Sequence, residues 1–509
     1  MMNRASCCVR RALCMAVLVA GCGSAWADWT YDAAAGTITD ENGIVLKVAS
    51  ATDGLKVTGV TTLNGQTKID FSKPVADAEG TSFAIAEVGG FGGGSAAAAQ
   101  QTVKEVVLPA GLKRISASAF MRCGGLEKVT PFLPDTVETI GASAFNRCPN
   151  LAGELRLSNP KLTAITGAMF YNDVSGKITK VDLRGSGLVE IPQGSFYANT
   201  SLGELYLPDG LTQISGNAFA RCSSLTNVVP FLPKTLTALT GEAFGNCTKL
   251  ALPVDLRCPN LKTIGNSAFA YTAVPSIDLR GAPLETVGEL AFGWNSALTN
   301  VTPLLPKTVI SVGNSVFTRC PNLEADELLI CNRRVKNQLM FLCFSDNASK
   351  IKCINLWKSG VTNILYNAFY CNKGLTTFYL SRDFEGFDTV HQAKNTFGGC
   401  SNLKNMYFPG GPFKYSSYDG KAFSPFGELQ LRYFIPRNGP GAAPWAAYLA
   451  NPDKCTVADL TDAEIAAYRK KFPDDDIPCR QKIILRDEST VYEYLCFWNP
   501  APGLSVLLR

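Results

Sequence analysis

One histidine, His391, stands in the whole chain, within the segment FDTVHQAKNTF (387–397). That excludes metal centres built on several imidazoles and leaves a single candidate base for a Ser-His or Cys-His pair. No nucleophile motif stands beside it, so the segment reads as a longer-than-usual loop with a solvated imidazole. The acidic run Asp474 to Asp476 could attract a cation, but a lone acidic turn is ordinarily just hydrated. GGFGGGSAAAAQQ (89–101) has the glycine density of a phosphate-binding loop and lacks the Lys-Ser/Thr ending that would reach the phosphates. Carboxylates are plentiful, yet their spacing suggests no acid–base pair. The chemistry-bearing residues therefore point away from an enzyme, and no cofactor or metal is expected. The 18 cysteines are the remaining reactive groups. Four of them, Cys7, Cys8, Cys14 and Cys22, lie at the N-terminus, and six others recur at a fixed distance from a phenylalanine. A small, buried thiol at a repeated turn is a packing residue that can also meet backbone groups. Neighbouring rungs about 5 Å apart would let a pair such as Cys123 and Cys148 approach. Cys455, Cys479 and Cys496 fall outside the repeats and are better disulfide candidates.

The elements that must position these cysteines are repeats. Leu112 to Leu126, LKRISASAFMRCGGL, places Cys123 three residues after Phe120 and Leu126 three after that. The same grammar returns at Phe145, Phe219, Phe244, Phe317 and Phe397. Looser copies hold Phe170, Phe196, Phe269, Phe292, Phe344, Phe369 and Phe423, and the steps run from 23 to 28 residues. A unit of this size cannot bury its own apolar face and must stack on its neighbours. Each copy also carries a short alternating strand, such as GELYLP, KVDLRG, SIDLRG or KNMYFP. Stacked copies would pair these edge to edge into one parallel sheet, with the phenylalanines in an inner column on the opposite wall. Three longer copies, VTPFLPDTVETIG (129–141), VVPFLPKTLTALTG (228–241) and VTPLLPKTVISVG (301–313), indicate duplication of multi-repeat blocks. Their Leu-Pro-x-Thr strings are internal and lack the following glycine, so they read as strands ending at a proline turn rather than as sorting signals.

LKRISASAFMRCGGLEKVTPFLP (112–134), VETIGASAFNRCPNL (137–151) and LTQISGNAFARCSSLTNVVPFLP (211–233) resemble the BspA-like leucine-rich repeat family, whose pattern is LxxIxxxAFxxCxxLxxVxLP. The likeness covers residues 101–436 and departs at Thr272, where the cysteine is missing, and around 328–353. The fold expected is an α/β-type solenoid dominated by β structure: a leucine-rich repeat array of about 13 repeats with a parallel sheet on one face. Residues 28–100 are expected to form a β-rich N-terminal cap, with a strand pair around Asp40 to Gly43, and Phe91 fits a degenerate first repeat. Residues 437–509 are expected to form a C-terminal cap. There Thr461 and Glu464 make a capping box, Pro473 stops the helix, and Tyr492 to Leu508 supplies closing strands. The resemblance implies adhesion-type roles, with an extracellular protein or glycan as partner.

Residues 1–27 read as a secretory signal, with Arg4, Arg10 and Arg11 before an apolar stretch and Ala25-Trp26-Ala27 as the cleavage site. A lipobox ending at Cys22, with a lipid anchor there, is the alternative. The formal charge of +5 falls to about +2 once those three arginines are removed, too little for a nucleic-acid partner. No other segment is apolar enough for a membrane helix. In KVDLRG, Val181 and Leu183 point inward, so Asp182 and Arg184 are expected to face solvent. The same offset selects Asp255, Arg257, Asp278 and Arg280. The aromatic members of the row are Tyr206, Tyr379, Tyr407 and Trp357. Such a row on a rigid sheet suits partner binding, although Asp and Arg on neighbouring rungs could simply pair with each other. A structural envelope component without a diffusible ligand is the second reading.

Overall fold

A computed structural model describes residues 28–92, 97–172, 176–330, 332–339, 350–364, 368–387, 396–412, 431–452, 455–473, 479–485 and 493–498. The N-terminal signal with Cys22, Phe344, His391, Phe423 and Asp474 to Asp476 lie outside the described residues.

The repeat pattern becomes a β-solenoid because its apolar positions are the buried ones. In the first full copy Leu112, Ala119, Phe120 and Leu126 are wholly buried, and Ile115, Cys123 and Val129 nearly so. Each coil contributes to three backbone ladders. One is the parallel sheet of alternating strands, for example Lys177–Asp182, Glu204–Tyr206 and Asn227–Val229, paired in register as Asp182, Tyr206 and Val229. The second is a row of two-residue strands just before each phenylalanine. It runs through Arg114–Ile115, Thr139–Ile140 and Ala164–Ile165, and again from Glu190–Ile191 to Ser311–Val312. The third is the phenylalanine wall. There the N–H of Phe120 donates to Ala144 O at 2.7 Å and that of Phe219 to Ala243 O at 2.9 Å, rung after rung. The rings stack through the core from Phe91 to Phe317, with centroids 5.2 to 6.2 Å apart.

Among the described residues the strand wall is interrupted three times, and proline explains where. In an unbroken rung the residue after the strand donates its N–H to the next strand: Leu183 to Tyr206 O at 2.8 Å, Leu279 to Thr302 O at 2.7 Å, Leu356 to Tyr379 O at 2.9 Å. At Pro131, Pro230 and Pro303 that donor does not exist. The sheets accordingly end at Lys128–Thr130, Asn227–Val229 and Asn300–Thr302. In the first two Leu-Pro-x-Thr strings the threonine ties the turn after the strand to the preceding coil. Thr136 Oγ1 donates to Leu112 O at 2.7 Å and Thr235 Oγ1 to Leu211 O at 2.6 Å.

At the N-terminus the antiparallel strands Trp29–Asp32, Thr37–Asp40, Val45–Ala51 and Gly54–Thr62 extend the second ladder. Asp40 Oδ1 accepts from Ile44 N at 2.7 Å and closes the expected turn. Repeat-type pairing already begins inside this segment, because Lys68–Asp70 pairs with Glu105–Val107 and Phe91 stacks on Phe120 at 5.2 Å. At the C-terminus the helix Asp462–Lys471 carries the expected capping box at Thr461 and Glu464. The strand Glu493–Trp498 closes parallel to Arg432–Pro436. A second helix of this segment, Ala442–Leu449, occupies a stretch rich in glycine and proline. It forms because the breakers flank its start and Trp445 buries against Phe408, ring centroids 5.3 Å apart.

Candidate functional site

The outward column of the strand wall falls into two halves of different character. In the first, the Asp-Leu-Arg strings fold back as forks. Arg184 donates from its backbone N to Asp182 Oδ1 at 3.1 Å, from Nε to the same oxygen at 2.9 Å, and from Nη2 to Oδ2 at 2.7 Å. Arg257 repeats this on Asp255 at 3.0, 3.0 and 2.9 Å, and Arg280 on Asp278 with 3.0 Å from both N and Nε. Arg257 also reaches Asp278 at 3.5 Å, and Lys234 reaches Asp255 at 3.0 Å. These guanidinium hydrogen bonds hold the carboxyls of Asp182, Asp255 and Asp278 below the usual carboxylate range. The Arg184 guanidinium lies 4.1 Å from the Tyr206 ring centre, and the Tyr206 hydroxyl donates to Glu204 at 2.9 Å. That acceptor raises the Tyr206 phenol above its ordinary value.

Three sequence expectations need correction here. Asp182 is buried, because its own Arg184 fork closes over it. Tyr379 and Trp357 are buried as well. Tyr379, Tyr407 and Phe434 stand opposite one another on successive strands and stack face to face, 4.1 and 4.3 Å between centroids, so each ring covers the next. Trp357 occupies the position equivalent to Arg184: its backbone N donates to Asn355 Oδ1 at 3.1 Å as the arginines do to aspartate. Its ring, however, packs with Cys353 and Tyr379 instead of extending outward. Burial pushes the Tyr379 phenol upward. Tyr407 is half-buried, while Arg184, Arg257 and Arg280 are open to solvent.

The sequence did not announce the concavity at the third interruption. Where Asn300–Thr302 fails to pair with Glu324–Leu329, a cavity of ≈ 660 Å³ opens, lined by Arg280, Pro303, Leu304, Leu305, Glu324 and Glu327 among others. Its signal was Pro303 in the slot that is Leu183 or Leu279 elsewhere.

The cysteines serve the rungs. Cys148 Sγ donates to Phe120 O at 3.0 Å, Cys222 to Phe196 O at 3.3 Å, Cys247 to Phe219 O at 3.1 Å, Cys320 to Phe292 O at 3.2 Å and Cys400 to Phe369 O at 3.0 Å. Asparagine takes the place of the cysteine at Asn199, Asn295 and Asn372; Asn199 Nδ2 reaches Phe170 O and Asn295 Nδ2 reaches Phe269 O, each at 2.8 Å. Thr272, the noted departure, lies against Asn295, whose Oδ1 accepts from the Thr272 N at 2.7 Å. Burial pushes the thiols of Cys123, Cys222, Cys320 and Cys400 up to about 12. The expected disulfides are not formed: the described cysteines are thiols. Cys455 sits opposite Leu485, at the far end of the hairpin from Cys479, whose Sγ donates to Leu495 O at 2.8 Å. Among the described residues no cluster of three or more His, Cys, Asp or Glu could hold a metal ion, and no helix is long and apolar enough to cross a membrane.

No curated protein matches the sequence. Among solved structures the chain is similar to a leucine-rich repeat protein from Bacteroides ovatus ATCC 8483, with 19% identity over 72% of this chain and 92% of that one and a TM-score of 0.42. It is similar also to a leucine-rich cell surface protein from Faecalibacterium prausnitzii A2-165, with 19% identity over 74% and 95% and a TM-score of 0.39. The pneumococcal vaccine antigen PcpA is 14% identical over 79% and 93%, with a TM-score of 0.35. The BspA type leucine-rich repeat region matches in overlapping stretches, 113–251, 231–344, 262–404 and 338–434, which together take in more than half of the sequence. The chain belongs to the BspA-type leucine-rich repeat family, a solenoid scaffold rather than a catalytic fold.

Proposed function

We propose that this is a secreted or surface-displayed protein that binds a macromolecular partner, protein or glycan, through the solvent-facing side of its strand wall, in an adhesion-like role. The observation that carries the reading is the cavity at the third interruption. It lies at the end of the Asp255–Asp278 column and combines an apolar floor, Leu304 and Leu305, with the charged rim of Arg280, Glu324 and Glu327. A concave apolar patch with an arginine at its edge suits an interface anchor. Arg280 is already oriented by Asp278, so less side-chain freedom is lost on binding.

The test is capture from extracellular-matrix and cell-surface extracts by the immobilised mature chain, beside a Tyr206→Ser, Arg257→Ala, Arg280→Ala variant. Tyr379 and Trp357 stay in place, because their burial would turn any substitution into a stability change. A partner held by the parent and lost by the still-folded variant supports the reading. A partner held equally by both overturns the placement on this face. Secretion belongs to the same proposal. An intact mass starting at Asp28 supports cleavage after Ala27, and a lipid-modified mass starting at Cys22 supports surface anchoring instead.

A further inference from the structure

We infer that the phenylalanine wall is a second binding surface, and that its occupant is a strand of uronate-bearing polysaccharide. The second residue after most of the wall phenylalanines has a left-handed backbone: φ is 63° at Arg122, 57° at Arg147, 61° at Arg221, 57° at Tyr271, 61° at Trp294 and 53° at Arg319. This conformation suits glycine and asparagine, and the chain uses both there, at Gly399 and Asn246, with small side chains at Ala198 and Cys371. At six rungs it instead carries an arginine or a large aromatic ring, and all six are exposed. Tyr271, 39% exposed, and Trp294, 37% exposed, are among the few large apolar side chains of the described residues that solvent reaches so fully. Packing therefore does not explain these residue types.

Their placement is fixed. The backbone N of Arg122 donates to Asn146 O at 2.7 Å, that of Arg221 to Gly245 O at 2.8 Å, and that of Trp294 to Thr318 O at 2.7 Å. Side chains thus project in register, one per rung. Tyr271 and Trp294 stack at 5.0 Å with Arg319 4.2 Å beyond the indole. One position earlier in the repeat, Tyr171 and Tyr197 stack at 4.6 Å with Arg221 5.6 Å away. No described repeat has an acid in the arginine column, and among the described residues the acids next to this wall, Glu242 and Glu289, stand before their phenylalanines rather than after them.

The charge spacing selects the occupant. Arg122 to Arg319 spans eight rung steps, about 40 Å at the spacing of a parallel ladder. A nucleic-acid strand would bring roughly a dozen phosphates over that length against four guanidinium groups. An extended peptide advances about 3.3 Å per residue and falls out of step with the rungs. A polysaccharide offers flat sugar faces to Tyr and Trp, and carboxylates at intervals of a sugar or two that match the arginine fork.

The experiment is retention of the full mature chain on immobilised polygalacturonate, on neutral dextran and on a single-stranded DNA oligonucleotide. It is repeated with Arg122→Asn, Arg147→Asn, Arg221→Asn and Arg319→Asn combined. Asparagine is at ease in this backbone conformation, so the variant should keep the parent's circular dichroism and unfolding midpoint. The expected result is salt-sensitive retention on polygalacturonate that weakens about ten- to a hundredfold in the variant, with no retention on dextran. The sheet-face variant should be retained like the parent, which separates this surface from the strand-wall reading. Equal retention of parent and arginine variant, no retention of the parent, or tighter retention on DNA would each overturn the proposal.

Discussion

Replacing Cys247 tests whether the repeated thiol ties one rung to the next. Cys247 is wholly buried, and its Sγ donates to Phe219 O at 3.1 Å. Cys247→Ala removes a weak hydrogen bond, at the low end of about 0.5–1.5 kcal/mol, and leaves a void near the size of a methyl group, about 1 kcal/mol. The Phe219 carbonyl still accepts from Cys222 N at 3.2 Å, so no orphaned acceptor adds to the loss. The sum is about 1–2 kcal/mol. Cys247→Asn should cost less than the alanine change, because Asn199 and Asn295 already span the same gap at 2.8 Å. Urea unfolding under reducing conditions measures both variants against the parent, and the order of midpoints should be parent, asparagine, alanine. Maleimide labelling gives a second readout. The burial that raises the Cys247 pKa well above its ordinary value leaves almost no thiolate at neutral pH, so the native chain should label slowly at this position. An alanine variant as stable as the parent, an asparagine variant weaker than the alanine one, or fast native labelling would refute the rung-tie account.

Phe219→Ala should be the more damaging change, about 3–5 kcal/mol, since the ring is wholly buried between Phe196 and Phe244 at 5.4 Å on each side; chemical denaturation measures it. The Asp-Arg forks give a pH dependence of definite sign. Asp182, Asp255 and Asp278 have folded-state values held below the ordinary one by their arginines. Their contribution is complete above about pH 4 and is lost as pH falls through the depressed values. Thermal midpoints should therefore drop on acidification below pH 4, and Asp182→Asn should make that drop shallower. Thr461→Ala removes the hydroxyl half of the capping box, the acceptor for Glu464 N, and should cost the C-terminal segment about 1 kcal/mol, read as faster amide exchange over Asp462–Lys471 in the variant than in the parent.

The repeat period, the buried positions and the phenylalanine column were legible because each is local: a residue type at a fixed offset, reiterated until stacking is unavoidable. The capping box at Thr461 was legible for the same reason. The exposure of the outward row was not, because it depends on what the neighbouring rung carries. Tyr379 alternates as a surface residue should, yet Tyr407 and Cys353 on the adjacent strands enclose it. Asp182 alternates correctly too, and Arg184 two residues on decides its fate. Disulfide expectation failed at Cys455 and Cys479 through distance along a hairpin whose register no residue spacing reveals. The helix Ala442–Leu449 is hard to see in the sequence because Gly439, Pro440 and Gly441 precede it and Pro444 stands in its first turn, where a missing N–H is tolerated.

Proline in the slot after the strand links the fold to its proposed use. The donor lost at Pro131 interrupts the strand wall, but the two-residue ladder runs on past it through Arg114–Ile115, Thr139–Ile140 and Ala164–Ile165. At Pro230 the second ladder again continues, from Ala238–Leu239 to Thr263–Ile264. At Pro303 it does not: among the described residues that ladder ends at Ser311–Val312, and a separate one starts with Lys336–Leu339. Two walls part at the same coil there, and the ≈ 660 Å³ cavity opens at that coil. The phenylalanine wall, by contrast, keeps its stacking past the first two interruptions, Phe145 on Phe170 at 5.2 Å and Phe244 on Phe269 at 5.6 Å. A solenoid held by one regular wall can tolerate gaps in another. The interrupted wall can then offer a shaped cavity to a single partner, while the regular one can offer only what repeats from rung to rung.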